Sequence, residues 1–131
     1  MTRIYYRGAH AAIICYEPSS HESWTRLRHW LHELRTVEDS CKVYLCGTKK
    51  DLLDGGFVKR EVAEEIVNTY SQDLNGHFLT SSKTGENVDE LFQKIVDDLA
   101  ADVEVMKTVT ESRLLLTELD KRKSKKDVCA C

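Results

Sequence analysis

The stretch AAIICY (11–16) is apolar at every position, as a strand covered on both faces of a sheet has to be. Pro18 and the serines at 19 and 20 end it. From Trp24 the period changes. Trp24, Leu27, Leu31 and Leu34 fall on one helical face, with Trp30 beside it. Ser20 or Ser23 suits the N-cap, because a serine hydroxyl can take an amide proton left over in the first turn.

KVYLCGT (42–48) predicts a second buried strand, and LLDGG (52–56) a loop. Val62, Ile66 and Tyr70 mark a second amphipathic helix, and HFLTS (77–81) a third strand. Asn87 with Glu90 has capping-box spacing. Val88, Leu91, Phe92, Ile95, Val96, Leu99 and Val103 then trace one apolar stripe.

Strands alternating with helices imply right-handed crossovers and a parallel sheet, an α/β fold with helices on both faces. Ligands of such sheets bind beyond the carboxyl ends of the strands. Two polar sets follow strands at that end, GTKKD (47–51) and TSSKTG (80–85).

Composition narrows the picture. A chain of 131 residues suffices for one domain with a modest core. With 41% hydrophobic and 31% charged residues it reads as soluble and globular. A net charge of −3 gives no electrostatic case for nucleic acid, although KRKSKK (121–126) concentrates positive charge. The longest apolar run is too short for a bilayer span or a signal-peptide core. Of the five cysteines, Cys15, Cys41 and Cys46 lie in or beside strands, and Cys129 and Cys131 end the chain. That is no disulfide framework and implies a reducing, cytosolic setting. His29 and His32 share a helix face, but nothing nearby completes a metal site. Residues 1–107 read as the domain and 108–131 as a flexible tail, with or without a helical start.

The polar sets carry chemistry. An aspartate at a strand tip can accept two hydrogen bonds side by side, which fits the N1–H and N2–H₂ edge of guanine and not adenine, and a charged acceptor strengthens such contacts. A lysine stem beside it can lie along a flat base. A loop from the next strand can point a backbone N–H at guanine O6. Asp51 with Lys49, and the 80–85 loop, supply these parts.

Together these sets resemble the base-reading motifs Asn-Lys-x-Asp and Ser-Ala-Lys of the Rab family of small GTPases, within the Ras superfamily. RIYYRGA (3–9), W-L-x-E-L (30–34) and VDELFQKI (88–95) also resemble Rab sequence, and the terminal Cys-Ala-Cys resembles a Rab double-prenylation signal. The resemblance implies the C-terminal part of a three-layer, P-loop-NTPase-like fold. It assigns guanine binding to Thr48, Lys49, Asp51, Ser81, Ser82 and Lys83, and prenylation to Cys129 and Cys131. Thr48 stands where the family usually has Asn, so one amide contact to guanine and to the phosphate loop is not made. Ser82 stands where the family usually has Ala. This is a mild change, since the expected donor is its backbone N–H.

The resemblance further implies GTP and GDP as ligands and vesicle trafficking as the role. Exchange factors, effectors, an escort protein and a geranylgeranyl transferase are the implied partners. The implied location is the cytosol and the cytoplasmic face of endosomal or autophagic membranes. The six glycines, at 8, 47, 55, 56, 76 and 85, include no pair five apart, so no G-x-x-x-x-G-K-[ST] phosphate loop is present. No threonine switch for magnesium precedes the first strand, and Asp73–Gly76 fits Asp-x-x-Gly only by chance. Hydrolysis and Mg²⁺ binding are therefore expected only with an N-terminal part, and nucleotide binding by these residues alone is expected to be weak or absent. Two other readings stay open: a membrane-attached interaction module that binds no nucleotide, and an unrelated flavodoxin-like domain.

Overall fold

The computed structural model describes residues 3–127, with side chains at 4–119 and 121. Three parallel strands form one sheet in the order β1-β2-β3: β1 is Ala11–Tyr16, β2 Lys42–Gly47 and β3 Gly76–Leu79. In register, Ile14 pairs with Leu45, Cys15 with Cys46 and Tyr16 with Gly47, while β2 Cys46 pairs with Phe78. Helices α1 (His21–Val37), α2 (Lys50–Asp54), α3 (Glu64–Ser71), α4 (Val88–Ala100) and α5 (Val103–Asp127) follow or connect the strands. The α/β order expected from the hydrophobic pattern is the order observed.

The α1 start is built as its sequence predicts. Ser20 is extended, and its hydroxyl accepts the Ser23 amide at 3.2 Å. Trp24, Leu27 and Leu34 turn inward and pack with Ile14, Tyr16, Val43, Leu45, Val62 and Val67. Leu27, Val43 and Val67 are fully buried. Truncating one such leucine costs about 2–5 kcal/mol.

Several local expectations differ. Residues 52–54, read as loop, belong to α2, because Asp51 accepts the Gly55 amide and one helical turn closes before the Gly55-Gly56 pair. In α3, Ile66 is exposed and Val67 fills the core. Val62 is buried but precedes the helix, so the inward face is shifted by one position. The third strand ends at Leu79, because Thr80 and Ser81 leave the ladder to build a loop.

Asn87 makes no capping box. It adopts φ +58° and its side-chain amide donates to the Leu79 carbonyl at 2.7 Å. An asparagine tolerates that left-handed backbone because its short amide bonds locally. Of the α4 stripe only Leu91 and Ile95 are buried, while Phe92 and Val96 are exposed.

Residues 1–95 form one compact unit and 96–131 a second. In the second, α5 continues far beyond a helical start. Asp102 Oδ1 accepts the amides of Glu104 and Val105, and no Gly or Pro follows within the helix. Leu, Lys, Glu and Arg there are strong helix formers. Leu114, Leu115 and Leu116 are each 62% exposed. Among the described residues, no helix is long and apolar enough to cross a membrane.

Candidate functional site

The carboxyl ends of all three strands meet at one edge of the sheet. Thr80 N–H donates to Gly47 O at 2.7 Å, so the loop after β3 starts against the end of β2. Thr48 N–H reaches Tyr16 O at 2.8 Å, and the Thr48 hydroxyl donates to the same carbonyl at 3.1 Å. The Thr48 side chain is thereby turned back onto the end of β1. Gly47 lies close under two side chains at this convergence. A Cβ there would lie 2.4 Å from Leu79 Cδ2 and 3.1 Å from the Tyr16 hydroxyl.

Lys49 holds the left-handed conformation, φ 58°, which costs a residue with a Cβ roughly 1–2 kcal/mol. The bend lifts Lys49 into solvent and starts α2 at the next residue. Its ammonium meets Glu17 Oε2 at 2.7 Å. That bond, with a second from the Ser19 hydroxyl, holds the Glu17 carboxyl below its usual range. Lys50 N–H donates to Thr80 O at 3.0 Å, and Lys50 Nζ pairs with Asp54 and with Glu86, the latter at 2.9 Å.

Asp51 stands in the first turn of α2. Ser81, fully buried, donates its hydroxyl to Asp51 Oδ1 at 2.6 Å. Ser81 also organises its own loop. Its Oγ accepts the Thr84 amide at 3.2 Å, its carbonyl accepts Gly85 N–H at 2.8 Å, and its amide donates to Glu86 O at 3.1 Å. Gly85 takes φ +81°, which closes the turn. Ser82 and Lys83 stand exposed at its crest.

The structure thus places all six candidates for the base site in two adjoining segments joined by that bond: Thr48, Lys49 and Asp51 in the first, Ser81, Ser82 and Lys83 in the second. Of these, Thr48 commits its hydroxyl to Tyr16. Cys129 and Cys131 lie outside the described residues. Sequence reasoning missed Glu17, Asp54 and Glu86, the acidic partners of Lys49 and Lys50. Glu17 directly follows β1, and its place at a strand tip was the available signal.

A carboxylate holding one hydroxyl keeps further acceptor sites on both oxygens. Asp51 can therefore accept a pair of N–H donors on a planar ring while Ser81 fixes its orientation, which suits a guanine edge. No group of three His, Cys, Asp or Glu side chains that could hold a metal ion occurs among the described residues.

The Ras family model matches residues 1–101. The chain is 44% identical over 94 residues to Ras-related protein Rab-24 of Dictyostelium discoideum, covering 72% of this chain and 46% of that protein. It is 42% identical over 96 residues to Ras-related protein Rab-4B of Homo sapiens, covering 72% and 43%. It is likewise 42% identical over 95 residues to Ras-related protein RABF2b of Arabidopsis thaliana, covering 70% and 45%. The chain spans a little under half the length of these relatives.

Proposed function

The chain belongs to the Rab branch of the Ras family, and from that premise we propose that it supplies the base-reading part of a guanine-nucleotide switch in membrane trafficking. The observation that carries this reading is the 2.6 Å bond between Ser81 and Asp51 at the carboxyl ends of adjacent strands. It presents an oriented carboxylate where α/β sheets bind ligands. In this reading Asp51 accepts the guanine N1–H and N2–H₂, and Lys49 and Lys83 lie along the base from either side. The Ser82 amide faces O6.

Thr48 contributes no amide, which weakens the site. Phosphate binding, Mg²⁺ coordination and hydrolysis are assigned to no residue of this chain, because its 131 residues contain no G-x-x-x-x-G-K-[ST]. Phosphoryl transfer rests on those positioning and charge-neutralising parts. GTP turnover belongs to a protein that joins this chain to a phosphate-binding half.

The same absence supports a second reading, a membrane-attached interaction module that binds no nucleotide. In both readings Cys129 and Cys131 carry prenyl groups and KRKSKK adds attraction to an anionic leaflet. The escort protein, transferase, exchange factor and effectors of the Rab system are the proposed partners. Endosomal or autophagic membranes are the proposed destination.

Titrating the 131-residue chain with fluorescent GDP and GTP tests the first reading. Binding should be weak, well above micromolar, and stronger for guanine than for adenine nucleotides. Submicromolar affinity would overturn the assignment of phosphate binding elsewhere. Equal binding of GTP and ATP would favour the interaction module.

A further inference from the structure

Two cysteines occupy directly paired positions on neighbouring strands. Cys15 of β1 stands opposite Cys46 of β2 in parallel register, so both side chains leave the same face of the sheet. Adjacent strands lie about 4.8 Å apart, within the Cα separation of about 4.4–6.8 Å that a disulfide spans. Cys15 is exposed and Cys46 nearly buried, and both are free thiols. A groove of about 420 Å³ along β1, lined by Tyr6, Ile13 and Trp30 among others, reaches Cys15 and gives a small solute access to that member of the pair. Cys46 Sγ also lies 3.2 Å from Thr80 Oγ1. The pair therefore consists of one sheltered sulfur with a hydroxyl beside it and one sulfur open to solvent.

We propose that Cys15 and Cys46 form a two-thiol modification site, which an oxidant of the peroxide class converts into a cross-strand disulfide. The sheltered sulfur reacts first. The Cys15 thiol pulls the Cys46 thiol down, against the effect of burial, and the Thr80 hydroxyl adds to this. Cys15 is correspondingly pushed up and keeps its proton. The Cys46 thiolate attacks one oxygen of hydrogen peroxide, breaking the O–O bond. This gives a sulfenic acid on Cys46 and, after proton transfer, one water. Cys15 then attacks the Cys46 sulfur, the S–O bond breaks, and a second water leaves with the Cys15 proton. Two sulfurs lose two electrons in total, and one peroxide becomes two waters. Cys41 is a built-in control. It is also buried, but burial raises its thiol, and among the described cysteines the cross-strand pair is Cys15 with Cys46.

Trypsin separates the relevant sulfurs, since Cys15 falls in peptide 8–26, Cys41 in 36–42, Cys46 in 43–49 and both terminal cysteines in 127–131. The fully reduced 131-residue chain is treated with hydrogen peroxide at pH 7, alkylated, digested and read by mass spectrometry. The expected product is peptide 8–26 joined to 43–49, formed at a rate independent of protein concentration. Cys46 should be lost about tenfold faster than Cys41, and this preference should vanish in urea. In Cys15→Ser, whose hydroxyl can still donate to the Cys46 sulfur but cannot resolve it, dimedone should capture a sulfenic acid on Cys46. Oxidation of peptide 127–131 without the 8–26 to 43–49 link would overturn the proposal. So would a link that forms as fast in urea as in the folded chain.

Discussion

The Ser81 hydroxyl and the Asp51 carboxylate, thirty residues apart in the chain, meet at 2.6 Å. Each follows a different strand, so the bond joins two loops that the sheet alone only brings near. It also fixes which way the carboxylate faces, because Ser81 is buried and its backbone is held at both N–H and C=O.

Removing the Ser81 hydroxyl leaves the partly buried Asp51 without its donor. Ser81→Ala should destabilise the chain by about 1.5–3 kcal/mol, the usual worth of a hydrogen bond to a charged group. Urea unfolding followed by tryptophan fluorescence measures it. A change within error of zero would mean that the loops hold each other without this bond.

Base selection is a separate test, in a protein that joins this chain to a Rab phosphate-binding half. Asp51→Ala should lower the preference for GTP over ATP by about 1–3 kcal/mol, the discrimination of one good bidentate base contact. Competition titrations with both nucleotides decide it. An unchanged preference would show that Asp51 does not read the base.

In the same protein Thr48→Asn should raise affinity for GDP. Thr48 spends its hydroxyl on the Tyr16 carbonyl, whereas an asparagine at that place brings an amide. Isothermal titration of the two proteins side by side reads the difference. Weaker binding by the asparagine variant would show that the Thr48–Tyr16 bond matters more to the site than the amide.

His77 makes stability depend on pH. Its Nε2 lies 2.9 Å from the Tyr16 hydroxyl, and burial, followed by the charge of Arg60, holds its pKa below 6.5, with Glu64 opposing. The folded state thus binds its proton less readily than the unfolded state. The resulting stability is complete above the unfolded value of about 6.5 and is lost as pH falls through the lower folded value. Thermal melts should show the midpoint falling between pH 7.5 and 5.5, with His77→Gln flattening that slope. A slope unchanged in the variant would place the titrating group elsewhere.

The tail carries its own test. Two lipid chains anchor stably where one binds only marginally. The Cys129→Ser, Cys131→Ser variant of a protein with both Rab halves should move from membranes to cytosol on fractionation. Each basic residue of 121–126 adds about 1 kcal/mol near an anionic leaflet, so neutralising them should change which membrane is preferred more than whether one is bound. A double-serine variant still on membranes in high salt would exclude prenyl anchoring.

The sequence by itself determined the α/β order, the first strand to the residue and a serine cap at 20 or 23, between which the structure chose Ser20. These are local properties: an unbroken apolar run, a helical period and one hydroxyl near one amide. It also determined the membership of the two polar sets, because each directly follows a strand. Only the tertiary structure decided how those sets meet. The Ser81–Asp51 bond closes across α3 and β3, and no spacing rule contains it. The structure likewise decided that Thr48 faces Tyr16, that Lys49 pairs with Glu17 and that Asn87 bends back to Leu79 rather than capping α4. It turned Val67 inward in place of Ile66, since the inward face of a short helix is set by what it packs against. Cys15 and Cys46 stand opposite each other for the same kind of reason: the register of two strands is fixed by the burial of Ile14, Leu45 and their neighbours, and the cysteines follow.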